Sequence, residues 1–214
     1  MMQTAVDVAT VATGLLVARI VLGLLMAAHG SQKLLGWFGG HGLGATAGFF
    51  ESMGFRPGKL FATVASATEL ASGVLLALGF LGPVGPALMI SVMIVAAASV
   101  HWRNGLFAMS NGIEVPLLYA TGALALALTG PGRYSLDAAL GLGTLSRPAV
   151  AGIALALGIL GGNLVAWYLK FPVAIPFDWV CLGLFICSLV GVVFGTYPAY
   201  KAANLDPIES LRYE

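Results

Sequence analysis

The chain has 214 residues, of which 59% are hydrophobic and only 9% charged, and its mean hydropathy is +0.95. A soluble domain of this length carries about 25% charged residues to cover its surface, so this composition excludes an ordinary water-soluble fold. The formal net charge of +1 excludes a strong electrostatic pull toward nucleic acid.

Six apolar runs follow one another, each long enough to be weighed against the roughly 20 residues that cross about 30 Å of hydrocarbon. The first covers about 11–35, VATGLLVARIVLGLLMAAHGSQKLL, and leads into GWFGGHGLGATAGFFESMGFRPG. Within that connector, ATAGFFESMGF has too few apolar residues to span. It reads as an interfacial or re-entrant piece with Phe49, Phe50 and Phe55 dipping into lipid, either a plain connector or a lid. The second run, about 59–81, ends in the tight turn GPVGP, and the third covers about 84–100. The polar loop HWRNGLFAMSNG precedes the fourth, about 113–129, and the turn-rich GPGRYSLDAALGLGTLSRP comes after it. The fifth run is about 149–169 and the sixth about 179–197, with the tail KAANLDPIESLRYE after it. No ten-residue alternation of a barrel is present, so the expected fold is an all-α membrane protein. It is expected to have a four-helix bundle over 1–145 and two further transmembrane helices over 146–214.

The N-terminus has no Lys or Arg before Arg19, so the basic start of a cleavable signal is missing. Cys181 and Cys187 are six apart in one apolar run, on different helix faces, and read as small apolar fillers rather than a redox pair. Six spans put both termini on one side of the membrane, side A. Arg133, Arg147, Lys201 and Arg212 lie on side A, and Lys33, Arg56, Lys59, Arg103 and Lys170 on side B. That near-balance leaves the orientation open by charge alone.

Ionisable groups at membrane depth are costly, and each is a functional candidate. Arg19 lies about two turns inside the first span and Glu69 near the middle of the second. On adjacent antiparallel helices they could pair, offsetting their desolvation, either for function or only to fix register. Arg19, Gly23, Met26, Gly30 and Lys33 recur at spacings of three and four. They form one face of small residues and charge that is expected to point into the bundle.

Topology gathers a second set at side B: His29 and Lys33 closing the first span, His101 closing the third, and Asn111 and Glu114 opening the fourth. Around one mouth, with Glu69 below it, these form the candidate binding site. The competing reading makes each an interfacial residue, with Lys33 snorkelling to headgroups. His41 reads as a solvated loop residue. His29 and His101 are not an i, i+4 pair and no HExxH or Cys/His cluster exists, so no metal site is expected. GWFGGHGLG lacks the strand–turn–helix context of a phosphate cradle. GVVFG at 191–195 and GILGG at 158–162 have the small-xxx-small spacing of close helix packing, within a chain or between chains.

Three pieces of residues 14–140 resemble the DoxX family of small four-helix membrane proteins: RIVLGLLMAAHGSQKLLGWFGG, FFESMGFRPGKLFATVASATELASGVLLALGF and NGIEVPLLYATGALALALTGPGRYSLD. They carry the family's pattern at Arg19, Gly23, His29, Gly30 and Lys33, at Glu69, and at Asn111, Gly112, Glu114, Gly130–Gly132, Ser135 and Asp137. The resemblance implies a redox-associated membrane component linked to a quinone or to oxidative-stress chemistry. As an enzyme it would be a non-autonomous subunit of a membrane oxidoreductase, working with other membrane or redox subunits. A quinone is the cofactor it points to, held by Arg19, His29, Lys33, Glu69, His101, Asn111 and Glu114; the catalytic residues stay unassigned.

From about 171 onward, FPVAIPFDWVCLGLFICSLVGVVFGTYPAYKAANLDPIESLRYE resembles the last helix and tail of MacB/FtsX-type ABC transporter permeases. That resemblance implies cytoplasmic termini and a cell inner-membrane location, with a junction within 145–171. It keeps two further functions open: a permease-like fragment that needs a partner chain, and a non-catalytic scaffold for partner enzymes.

Overall fold

A computed structural model describes residues 8–168. The chain divides into two compact units, Met1–Ala174 and Ile175–Glu214, and the described residues all belong to the first. The sixth apolar run, both cysteines and the permease-like tail lie outside the described residues.

The described chain is helical, with no strand among its residues. Helix α1 is Val8–Leu35, α2 is Gly42–Ser52, α3 is Gly58–Leu78 and α4 is Val84–Ala96. A π-helical turn, Ala97–His101, and a 3₁₀ turn, Trp102–Asn104, extend α4. Helix α5 is Glu114–Thr129, α6 is the single turn Leu136–Ala139 and α7 is Pro148–Tyr168. Four of these segments are long and apolar enough to cross a bilayer: Val8–Leu35, Gly58–Leu78, Val84–Asn104 and Pro148–Tyr168. Helix α5 is apolar but shorter, at 16 residues. The all-α membrane fold expected from composition is the fold observed, and the first five apolar runs coincide with α1, α3, α4, α5 and α7.

Leu, Val and Ile side chains cover the outer surface, among them Leu24, Leu25, Val64, Leu118, Leu128, Leu157 and Leu164. In a lipid solvent that distribution costs nothing, and the helices associate through packing and internal polar contacts instead. Methionines and alanines fill the interior: Met26, Met89, Met93, Ala123 and Ala127 pack with Leu76, Leu126 and Tyr119.

Helix α1 lies antiparallel on α3, and small residues make the approach possible. A Cβ on Gly23 would meet the backbone of Gly73 and Ala77 at 2.6 Å, and one on Gly30 would meet the Ser66 carbonyl at 2.7 Å. Gly73 returns the contact against Ala27 and Gly23. The expected inward face of α1 is buried at Arg19, Gly23, Met26 and Gly30. Helix α7 repeats the device on α4: Gly158 abuts Ala87, and a Cβ on Gly162 would lie 2.7 Å from the Ser91 carbonyl. The GILGG stretch therefore packs within the chain.

Replacing Gly23 or Gly30 with Leu should wedge α1 from α3 and cost about 1–3 kcal/mol or more, read as a lower thermal unfolding temperature in detergent micelles. Gly14→Leu serves as the control, because nothing lies within 4 Å of a Cβ there; equal losses at Gly14 and Gly23 would contradict this packing.

Candidate functional site

The register of α1 on α3 decides which charges meet. Gly23 sits opposite Gly73–Ala77 and Gly30 opposite Ser66–Leu70, which sets Arg19 beside the end of α3 and Glu69 beside the last turns of α1. Arg19 and Glu69, expected as a pair, are therefore apart. Arg19 reaches Ala77, eight residues and about 12 Å along α3 from Glu69.

Arg19 is buried and donates to backbone carbonyls: Nη1 to Ala77 O at 3.1 Å and Nη2 to Tyr134 O. Its guanidinium occupies the space a side chain at Gly79 would need, and Gly79 has φ 63°, the left-handed conformation that ends α3. The charge of Asp137 acts on the same guanidinium. Asp137 itself accepts from Leu81 N at 2.9 Å and Gly82 N at 2.6 Å, while its own N–H donates to Gly79 O at 3.1 Å. Ser135 starts α6 by accepting from Ala138 N at 3.2 Å. At side A, Arg19 and Asp137 thus tie α1, the α3–α4 turn and the α5–α6 connection together. Their hydrogen-bonding capacity is spent largely on backbone, as is usual for a buried polar clamp.

Glu69 pairs with Lys33. It lies eleven residues into α3, about 16 Å along the axis from Gly58, and is 2% exposed. The Lys33 ammonium, in the last turn of α1 and 37% exposed, donates to Glu69 Oε1. The second carboxylate oxygen, Oε2, is buried and has no hydrogen-bond partner. An unmet acceptor on a buried charge is costly, about 1–3 kcal/mol or more, and marks a place that a ligand or water can satisfy.

That carboxylate lines a cavity of about 490 Å³, within the 300–1,000 Å³ range of small-molecule sites. One wall is α2, through Ala45, Thr46, Phe49, Phe50 and Met53; opposite it stand Val92, Val95, Ala96 and Ser99 of α4 and its extension. Lys33 and Gln32 border it from α1, Ala65 and Glu69 from α3, and His41 and His101 complete it.

Helix α2 is fastened at both ends. Thr46 Oγ1 shares its one hydrogen between Gly42 O at 2.8 Å and Lys33 O at 3.2 Å, and Glu51 Oε1 accepts from Gly58 N at 3.1 Å at the start of α3. Phe55, expected to dip into lipid, is instead 2% exposed, with its ring 5.1 Å from Phe50 and 5.6 Å from Phe61. The turn at Gly54, φ 99°, folds it back under α2. Phe49 does stay half exposed.

The π-helical turn at 97–101 adds a residue to the helical path and redirects the chain beyond it, a device common at functional sites. Ser99, Val100 and His101 from this turn all line the cavity. His101 Nδ1 lies 2.8 Å from Asn111 O; a carbonyl only accepts, so Nδ1 donates.

Of the seven sequence candidates, Lys33, Glu69 and His101 meet at this cavity. Asn111 and Glu114 act one step behind it. Asn111, at φ 60°, and Gly112, packed on Gly105, close the 102–113 loop, and Glu114 Oε2 accepts from Ala108 N at 2.7 Å. His29 is exposed on the α5 side of α1, edge-on to Tyr119 with centroids 6.0 Å apart. Arg19 belongs to the side-A clamp. His41, expected as a solvated loop residue, is exposed yet borders the cavity. Gln32, Thr46 and Ser99 are further wall residues that sequence reasoning missed. Ser99 sits in a π turn that no local pattern announces, and Gln32 and Thr46 reach the wall through the packing of α1 and α2. Among the described residues, no three His, Cys, Asp or Glu gather as metal ligands.

The DoxX family profile matches residues 14–102. The match contains Arg19, His29, Lys33, Glu69 and His101, and stops before Asn111 and Glu114. A second likeness is to ABC exporters. The chain is 45% identical over 62 residues to an uncharacterized ABC transporter permease, YknZ, of Bacillus subtilis, covering 29% of this chain and 16% of the relative. It is 44% identical over 63 residues to the macrolide export ATP-binding/permease protein MacB of Syntrophobacter fumaroxidans, covering 28% and 9%. To the pyoverdine export ATP-binding/permease protein PvdT of Pseudomonas fluorescens it is 48% identical over 67 residues, covering 30% and 9%. The chain thus spans a sixth or less of the length of these relatives. No solved structure matches it.

Lys33→Met should destabilise the protein more than Glu69→Met does, by up to about 3–5 kcal/mol reduced for the partial exposure of Lys33, because it leaves a buried carboxylate without its cation. Adding Glu69→Met to Lys33→Met should restore most of the loss. The check is a double-mutant cycle by thermal unfolding in detergent; additive losses would contradict a coupled pair.

Proposed function

We propose that this membrane protein, with its DoxX domain at residues 14–102, is a redox-associated component that holds a quinone-like molecule in the cavity beside Glu69. The observation that carries the reading is a buried carboxylate with one unpartnered oxygen, on a residue that lines a cavity with apolar and aromatic walls. Quinones combine a flat ring and an apolar tail with two polar oxygens, and such a ligand wants an apolar slot with one or two hydrogen-bonding or proton-exchanging groups. Phe50, Phe55 and Val92 supply the apolar surface; Lys33, Glu69 and His101 supply the polar contacts. The His101 ring, held by its Nδ1 bond to the Asn111 carbonyl, is a further polar group of the wall. In this reading the chain is a ligand-holding subunit that works with redox partners.

Protein in lipid nanodiscs titrated with decylubiquinone and its quinol should bind at least one of them, measured by calorimetry. Phe50→Ala should weaken binding about tenfold through lost apolar contact, and His29→Ala should leave it unchanged. No binding of either form by the folded protein would end this reading.

The stretch similar to exporter permeases favours a second reading, a permease-like part that acts with an ATP-binding partner. The same likeness supports an orientation with both termini cytoplasmic and the cavity facing outward across the cell membrane. A reporter enzyme that is active only outside the cytoplasm should stay inactive when fused after Glu214 and become active when inserted after Gly39; the reverse pattern would overturn the orientation.

A further inference from the structure

We infer that the cavity beside Glu69 selects its ligand by a donated hydroxyl, taking the reduced, quinol form in preference to the oxidised quinone. The inference rests on the quinone-site reading and adds the direction of the hydrogen bond.

One acceptor of Glu69 is short of a donor. Glu69 Oε2 is buried without a partner, and at 2% exposure the residue cannot be satisfied from bulk water. Lys33 already serves Oε1 and does not reach the second oxygen. The wall hydroxyls have their hydrogens committed to backbone, and Gln32 one of its two amide hydrogens. Ser99 Oγ donates to Val95 O at 2.7 Å, Thr46 Oγ1 to Gly42 O at 2.8 Å, and Gln32 Nε2 to Phe38 O at 3.1 Å. His101 spends its Nδ1 hydrogen on Asn111 O. His41 is exposed at the rim and exchanges with solvent.

Two kinds of ligand oxygen meet this set of groups differently. A carbonyl oxygen of a quinone only accepts; set against Glu69 Oε2 it leaves both acceptors unmet, and two oxygens with partial or full negative charge repel. A ring hydroxyl donates to Oε2 and forms a charge-assisted hydrogen bond, which is the stronger class. The remaining hydrogens of the Lys33 ammonium can serve a carbonyl, but that group is 37% exposed and finds water or lipid headgroups without a ligand. The unmet demand is therefore at Glu69, and it is for a donor.

The test uses the wild-type protein in nanodiscs under anaerobic conditions, with decylubiquinol, decylubiquinone and the dimethyl ether of the quinol as probes, binding measured by calorimetry. The quinol should bind at least about tenfold more tightly than the quinone, the weight of one hydrogen bond to a charged group. The dimethyl ether, similar in shape but without a hydroxyl, should fall to the quinone's affinity or below. Glu69→Gln should erase the preference, since its amide both donates and accepts. Equal binding of quinol and quinone, or tighter binding of the quinone, would overturn the hydroxyl selection while leaving a quinone site standing; absence of binding by all three probes would remove the site and the inference together. Because the dimethyl ether comparison needs no substitution, the outcome holds even if Glu69→Gln fails to fold.

Discussion

The antiparallel register of α1 on α3 is the constraint from which the polar architecture derives. In lipid no water is available to compensate a misplaced charge, so an ionisable side chain at depth must find its partner on a neighbouring helix. The register is fixed by backbone approach at Gly23, Gly30 and Gly73, where added side chains would collide with main chain rather than with flexible groups. Once those glycines are seated, Arg19 falls beside the end of α3 and Glu69 falls within reach of Lys33. A slip by one helical turn would leave both charges facing apolar neighbours.

The two charged clusters that result differ in what surrounds them. At side A, Asp137 uses both oxygens on the Leu81 and Gly82 amides, and Arg19 spends its terminal nitrogens on carbonyls of α3 and of the segment after α5. That arrangement closes the ends of three helices, and Tyr134 and Ser135 beside it line a shallow surface cavity with Arg133 and Leu136. At side B, the ion pair satisfies only one oxygen of Glu69, and the other borders an apolar space. Both are built from one cation and one carboxylate on facing elements, and each leaves one buried atom without a partner, Arg19 Nε at side A and Glu69 Oε2 at side B; Glu69, unlike Arg19, lines the cavity between α2 and α4.

Around the side-B cavity, irregular backbone does the positioning. The π turn at 97–101 rotates the end of α4 so that Ser99 and His101 share the wall, and the tight 102–113 loop brings the Asn111 carbonyl back to orient His101. Helix α2, too short to span, is held between Lys33 and Gly58 and covers the space. The π turn is partly buried and lines the cavity, whereas residues 102–111 are exposed.

Composition and hydropathy by themselves determined that lipid solvates this chain, that its elements are helices, and where the first five begin and end, because those properties depend on local sequence and on the thickness of hydrocarbon. The spacing of Arg19, Gly23, Met26 and Gly30 likewise marked the inward face of α1, since helical periodicity is local. The candidate site was legible in part: Lys33, Glu69 and His101 were named as polar groups at depth or at one membrane face. Only the tertiary structure decided that Glu69 meets Lys33 rather than Arg19, that Phe55 turns inward, that His29 faces Tyr119, and that His41, Gln32 and Thr46 join the wall. Those outcomes depend on interhelical register and on a π turn, which arise from contacts between residues far apart in the chain and leave no signature in any single stretch of sequence.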